Sequence, residues 1–137
     1  MIALLVVTHG QLAEELVRAA KRIVGPSARL HALSLGWDDD VSEARRRIEE
    51  AVAALDEGEG VMVLTDMFGG TPTNLASTFL RDGRMEIVTG VNLPMLIKFT
   101  NLRGETSLRE VAARLARQGR ESIQVASEFA RRPEEGS

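Results

Sequence analysis

The stretch Ile2-Ala3-Leu4-Leu5-Val6-Val7-Thr8-His9-Gly10 decides how the rest of the chain is read. From Ile2 to Thr8 it is a short continuous run, apolar as far as Val7 and rich in β-branched side chains. A strand with one wet face alternates polar and apolar residues. An unbroken run belongs instead to a strand covered on both faces, as in a parallel sheet flanked by helices. The run is too short to span a membrane and lacks the basic region and cleavage site of a signal peptide. It stops at a histidine, one of only two in the chain, followed by glycine.

Working outward, helical and strand patterns alternate. Gln11 to Val24 carries Leu12, Leu16, Ala19 or Ala20 and Ile23 at helical spacing and closes on Gly25-Pro26. Arg29 to Leu35 reads as a second strand. Asp40-Val41-Ser42-Glu43 has capping-box spacing and opens a helix with Val41, Ala44, Ile48, Val52 and Leu55 on one face, ended by Gly58 and Gly60. Val61 to Thr65 is a third strand, again continuous and apolar. Thr71-Pro72 places an N-cap before a first-turn proline, predicting a helix over Pro72 to Leu80. Met85 to Thr89 gives a fourth strand and Pro94 to Thr100 a short helix. Ser107-Leu108-Arg109-Glu110 is a second capping box, and its helix is expected to stop at Gly119. Periodicity leaves Glu121 to Phe129 open between strand and helix. This alternation predicts an α/β fold, an open and mostly parallel sheet with right-handed crossovers and helices on both faces.

Bulk properties narrow the class. The 137 residues suit one domain with a full core, and 44% apolar with 27% charged residues is ordinary globular composition. The formal net charge is -3, and no basic stripe with interleaved aromatics appears, which argues against a nucleic-acid partner. Arg45-Arg46-Arg47 reads as a solvated helix face. With no cysteine, disulfides and thiolate chemistry are excluded, and a cytoplasmic setting is expected.

Open parallel sheets bind ligands beyond the carboxyl ends of their strands, where strand order reverses. Three stretches leave strands at that edge: Thr8-His9-Gly10, Thr65 to Thr71, and Thr89-Gly90-Val91-Asn92. With strand order 2-1-3-4, the first and third strands are neighbours about 4.8 Å apart, and His9 and Asp66 emerge within reach of each other. A carboxylate bonded to one ring nitrogen fixes the imidazole tautomer and turns the other nitrogen outward as a nucleophile. Gly10 and Gly69-Gly70-Thr71 precede helices, so backbone N–H groups and the Thr71 hydroxyl converge on a spot suited to a phosphoryl group.

Each residue alone has a plainer reading. His9 would be a satisfied structural histidine, Asp66 a strand-end cap and Gly69-Gly70 an ordinary turn; their shared edge favours function. His31 lies inside the second strand with no matching acid and is read as structural. A metal site is not expected, because only His9 and Asp66 are candidate ligands there. Asp66 also raises the idea of a receiver domain phosphorylated on aspartate. That fails, since Thr8-His9-Gly10 stands where such a domain needs an acidic pair for magnesium.

Three motifs in order carry a resemblance: Thr8-His9-Gly10, then Asp66-Met67-Phe68-Gly69-Gly70-Thr71-Pro72-Thr73-Asn74, then Gly90-Val91-Asn92-Leu93-Pro94-Met95-Leu96. Together they resemble the mannose-family enzyme IIA domain of the bacterial phosphoenolpyruvate-dependent sugar phosphotransferase system (PTS), over nearly the whole chain. The resemblance implies a cytoplasmic phosphocarrier, a single IIA domain over residues 1–130 with a polar tail over 131–137. It implies that His9 takes a phosphoryl group on Nε2 from phospho-HPr and passes it to a IIB protein serving membrane IIC and IID subunits. Because the sequence ends at Ser137, that IIB is expected to be a separate chain. Asp66 matches the acid that orients the ring, and Thr71 stands where many members have serine. Phe68 replaces a tryptophan seen in some members, a change expected to affect packing or partner contact. Met67, Phe68, Leu93, Pro94 and Met95 are expected at the docking edge, and no metal or organic cofactor is needed. The resemblance further implies a homodimer in which a C-terminal strand, Glu121 to Phe129, pairs antiparallel with the partner's sheet. The alternative is a regulatory IIA-like protein whose His9 phosphorylation state controls another protein without sugar transport.

Overall fold

The computed structural model describes residues 1–80, 83–102 and 107–128. Four parallel strands, β1 (Ala3–His9), β2 (Leu30–Leu35), β3 (Val61–Thr65) and β4 (Met85–Thr89), lie in the order β2-β1-β3-β4. Among the described residues five helices connect or flank them: α1 (Leu12–Val24), α2 (Val41–Leu55), α3 (Thr71–Ser77), α4 (Leu93–Asn101) and α5 (Leu108–Glu121). The register sets Leu4 beside both Leu30 and Met62, and Val7 beside Leu33 and Thr65. The strand order reverses between β1 and β3, so the chain leaves the sheet there on two adjacent strands.

The unbroken apolar run is explained by two cores, one on each face of the sheet. Leu4 and Val6 of β1 pack with Met62 and Leu64 of β3 against Ala13, Val17, Leu96 and Leu115 from α1, α4 and α5. The alternate residues Leu5 and Val7, with Val61 and Val63, pack against Ile48, Leu75 and Ala76 from α2 and α3. Successive side chains point to opposite faces of a strand. Every position from Ala3 to Val7 is therefore inside the protein, each at no more than 1% exposure.

Caps set most helix starts. Asp40 accepts a hydrogen bond from the N–H of Glu43, Asn92 from Met95, and Ser107 from Glu110. Three boundaries differ from the sequence expectation. Thr71 is the first residue of α3, not its cap; Gly70 holds the cap position with no side-chain bond. The same helix ends at Ser77, because the N–H groups of Thr78, Phe79 and Leu80 bond three residues back and tighten the last turn. Gly119 does not stop α5. A Cβ there would lie 2.8 Å from Met95 Sδ, so this glycine lets α5 approach α4 closely.

Among the described residues the C-terminal segment forms no strand. Glu121 belongs to α5, 122–125 are irregular, 126–128 form a helical turn, and Phe129 lies outside the described residues. A strand needs a neighbour to share its backbone hydrogen bonds, and the neighbour expected for this segment belongs to a second copy of the chain. The expected tail over 131–137 also lies outside the described residues.

Candidate active site

His9 is the last residue of β1, and Asp66 follows directly on the end of β3. One carboxylate oxygen of Asp66 takes two hydrogen bonds from His9: its Oδ2 is 2.9 Å from the backbone N and 2.7 Å from ring Nδ1. Burial works to raise the Asp66 pKa. The bond from the His9 N–H, then the ring bond and its charge, outweigh that and hold the carboxyl below its usual range. Asp66 is therefore an anion and can only accept, so Nδ1 carries the proton and Nε2 presents its lone pair. The His9 side chain keeps 21% exposure, which leaves the ring open to a docking partner.

The loop from Met67 to Gly70 is shaped to that ring. A Cβ on Gly70 would come within 3.0 Å of His9 Cε1 and 3.1 Å of Met67 Cγ, so only glycine leaves the imidazole its place. Gly69 has φ +83° and open space around it; its need for glycine is conformational. Thr71 is exposed at the start of α3, whose first turn has no side-chain cap.

Gly10 differs from the expectation. Its N–H donates to the Leu35 carbonyl at 2.7 Å, and the His9 N–H is taken by Asp66, so neither can hold a phosphoryl oxygen. What Gly10 supplies is room: a Cβ there would lie 3.2 Å from Trp37 Nε1.

The docking residues also divide. Met67 is 56% and Phe68 83% exposed. Leu93 and Pro94 are half-buried at the start of α4, Leu93 packing on the core. Met95 is corrected from docking edge to core. It is 1% exposed and wedged against Gly119, because the first turn of α4 must roll one side chain onto the sheet.

Two features escaped sequence reasoning. Trp37, in the loop after β2, stacks on the His9 ring with centroids 4.8 Å apart and planes 18° apart. The available signal was a lone tryptophan two residues beyond a strand that neighbours the first. The second is Thr73, whose hydroxyl donates to the Met67 carbonyl at 2.7 Å and meets Thr65 Oγ1 at 2.6 Å, pinning the loop from below. Thr8 does the same for the first motif, its Oγ1 accepting from the Ala13 N–H at 2.7 Å. His31 sits inside β2, away from this edge; burial, then Lys21 and Arg29, lower its pKa and keep it neutral.

Residues 3–116 match the family model described as "PTS system fructose IIA component". The chain belongs to this PTS IIA family. It is 31% identical over 129 residues to the "PTS system fructose-specific EIIA component" of Bacillus subtilis, covering 93% of this chain and 88% of that one. It is 35% identical over 131 residues to the "PTS system mannose-specific EIIAB component" of Escherichia coli K12. That match takes in 90% of this chain but only 39% of the relative's length. Among solved structures, the mannose/sorbose-specific IIA subunit from Enterococcus faecalis superposes with TM-score 0.82 at 28% identity, covering 90% and 93% of the two chains. The sheet described above is thus that of a IIA fold. Among the described residues of this PTS component, no helix is long and apolar enough to cross a membrane.

Proposed function

We propose that this IIA protein is a phosphocarrier in which His9 accepts a phosphoryl group from phospho-HPr and hands it to a IIB protein for sugar uptake. The observation that carries this reading is the 2.7 Å bond between Asp66 Oδ2 and His9 Nδ1, which leaves Nε2 as the reactive nitrogen at the carboxyl edge of the sheet. In the first step Nε2 attacks phosphorus in line. The Nε2–P bond forms as the donor's N–P bond breaks, and that bonding pair returns to the donor's nitrogen. The His9 ring keeps its Nδ1 proton and becomes cationic, and the Asp66 carboxylate balances the charge. Transfer to IIB reverses these changes. Such chemistry asks little of the protein beyond alignment and charge stabilisation. Gly70 lies against the ring, with Gly69 and Thr71 on either side of it in the chain, and the exposed Thr71 can offer its N–H and hydroxyl to phosphoryl oxygens. Met67 and Phe68 offer exposed apolar surface to the docking protein.

The test is incubation with phosphoenolpyruvate, enzyme I and HPr, followed by mass spectrometry. One phosphoryl group on His9, lost in a folded His9→Ala variant, is the expected result. Undiminished acid-labile phosphate on that variant would overturn the assignment.

We also read the protein as a homodimer. Among the described residues β4 pairs only with β3 and its other edge is open, and a groove of about 670 Å³ runs beside it between Leu80, Ile87, Ala112 and Ile123. Exposed Ile123 and Val125 belong to the segment expected to pair there from a second copy. Sedimentation at micromolar concentration checks this: a dimer is expected, and a concentration-independent monomer would remove it.

A further inference from the structure

We infer that Trp37 is a positioning residue for His9, fixing the plane of the imidazole and stabilising it when it becomes cationic. The inference rests on the phosphocarrier reading above and adds a residue to it. The two rings lie nearly parallel, with centroids 4.8 Å apart, inside the range of favourable aromatic stacking. Yet Trp37 is 77% exposed, so it is not there to fill a core. A large apolar ring left in water is costly to keep in one place, and the surrounding chain is built to do so. The Gly36 N–H donates to Asp39 Oδ2 at 2.7 Å, and the Asp39 N–H donates to the Gly36 carbonyl at 3.3 Å. Arg47 holds the same Asp39 oxygen from α2 at 3.3 Å. Asp40 then caps α2. Trp37 therefore stands in a turn tied on both sides, and Gly10 leaves the space its indole edge occupies.

Asp66 and Trp37 constrain different motions. The Asp66 carboxylate fixes where Nδ1 points within the ring plane. It does not stop the ring from rocking about the line to that oxygen. The indole face does, and Gly70 lies close to the ring at Cε1. Nε2 is then the one ring atom free to react, held in a set direction. When the Nε2–P bond forms, the ring becomes a cation, and the electron-rich indole face attracts a cation more than a neutral ring. The stabilisation is therefore larger after transfer than before it, and part of it is felt in the transition state.

Two arms test this. In the first, wild type, Trp37→Ala and Trp37→Phe are phosphorylated by phospho-HPr over a range of donor concentrations. The maximal rate of Trp37→Ala is expected to fall about tenfold with little change in half-saturation, and Trp37→Phe to recover most of it. A raised half-saturation with an unchanged maximal rate would make Trp37 a docking contact and overturn the inference; so would unchanged kinetics. The second arm needs no donor and stands apart from the phosphocarrier reading. Trp37 is the single tryptophan and there is no tyrosine, so intrinsic emission reports on it alone. His9→Ala is expected to shift that emission and make the indole more accessible to acrylamide. Identical spectra and quenching in the two proteins would show that the rings do not stack in solution.

Discussion

A single oxygen of Asp66 binds both the backbone N–H and the ring Nδ1 of His9, two bonds of 2.9 and 2.7 Å across 57 residues of sequence. The acid thus ties down the main chain at the end of β1 and the side chain that projects from it. Orientation of the imidazole is coupled to the β1–β3 junction and not left to a rotamer.

Replacing Asp66 by asparagine should preserve the shape but remove the charge and free the tautomer. Phosphorylation of His9 is expected to slow about a hundredfold without stopping, since a displaced but intact nucleophile remains. Single-turnover transfer from phospho-HPr measures it. Wild-type rates would take Asp66 out of the mechanism.

The depressed Asp66 pKa carries a stability consequence with a definite sign. A carboxyl that titrates lower in the folded state stabilises the protein above its unfolded value, near 3.9, and that contribution is lost as pH falls through the folded value. The gap in melting temperature between wild type and Asp66→Asn is therefore expected at about pH 5 and should shrink below about pH 4. Circular dichroism melts across that window check it; a gap that widens toward acid would contradict the lowered Asp66 pKa.

The two loop glycines should fail differently. Gly70→Ala forces a methyl against the His9 ring, so transfer is expected to drop tenfold or more, about the cost of overpacking, with the loop backbone undisturbed. Gly69→Ala meets no atom but must hold φ near +83°, so it should lose about 1–2 kcal/mol of stability and leave the ring in place. Urea melts and transfer rates on both variants separate the two effects.

Thr73→Val keeps the shape and removes the hydroxyl that joins Thr65 to the Met67 carbonyl. The buried Thr65 hydroxyl loses its partner, at about 1–3 kcal/mol, and the Met67 carbonyl keeps only the longer bond from the Gly70 N–H. Denaturant unfolding should register that loss, and faster amide exchange over 66–70 should accompany it.

The sequence by itself determined the sheet. Unbroken apolar runs such as Leu4 to Val7 and Val61 to Leu64 need cover on both faces, and alternating helical patterns supply it, so the topology leaves few alternatives. His9 and Asp66 were legible because strand ends at one edge of such a sheet are neighbours by construction. Gly119 and Met95 were misread for the same reason as each other: a glycine in a helix and a methionine after a proline say nothing locally about which helix lies opposite. Only the tertiary structure paired them, through a close α4–α5 approach. Gly10 was misassigned because its N–H looks free in the sequence, while Leu35 of the neighbouring strand takes it. Trp37 was invisible because stacking depends on where two loops place two rings, a distance of a few ångströms that no periodicity encodes. Local patterns set which strands and helices form. The atoms that face the reactive nitrogen were decided by packing between elements far apart in the chain.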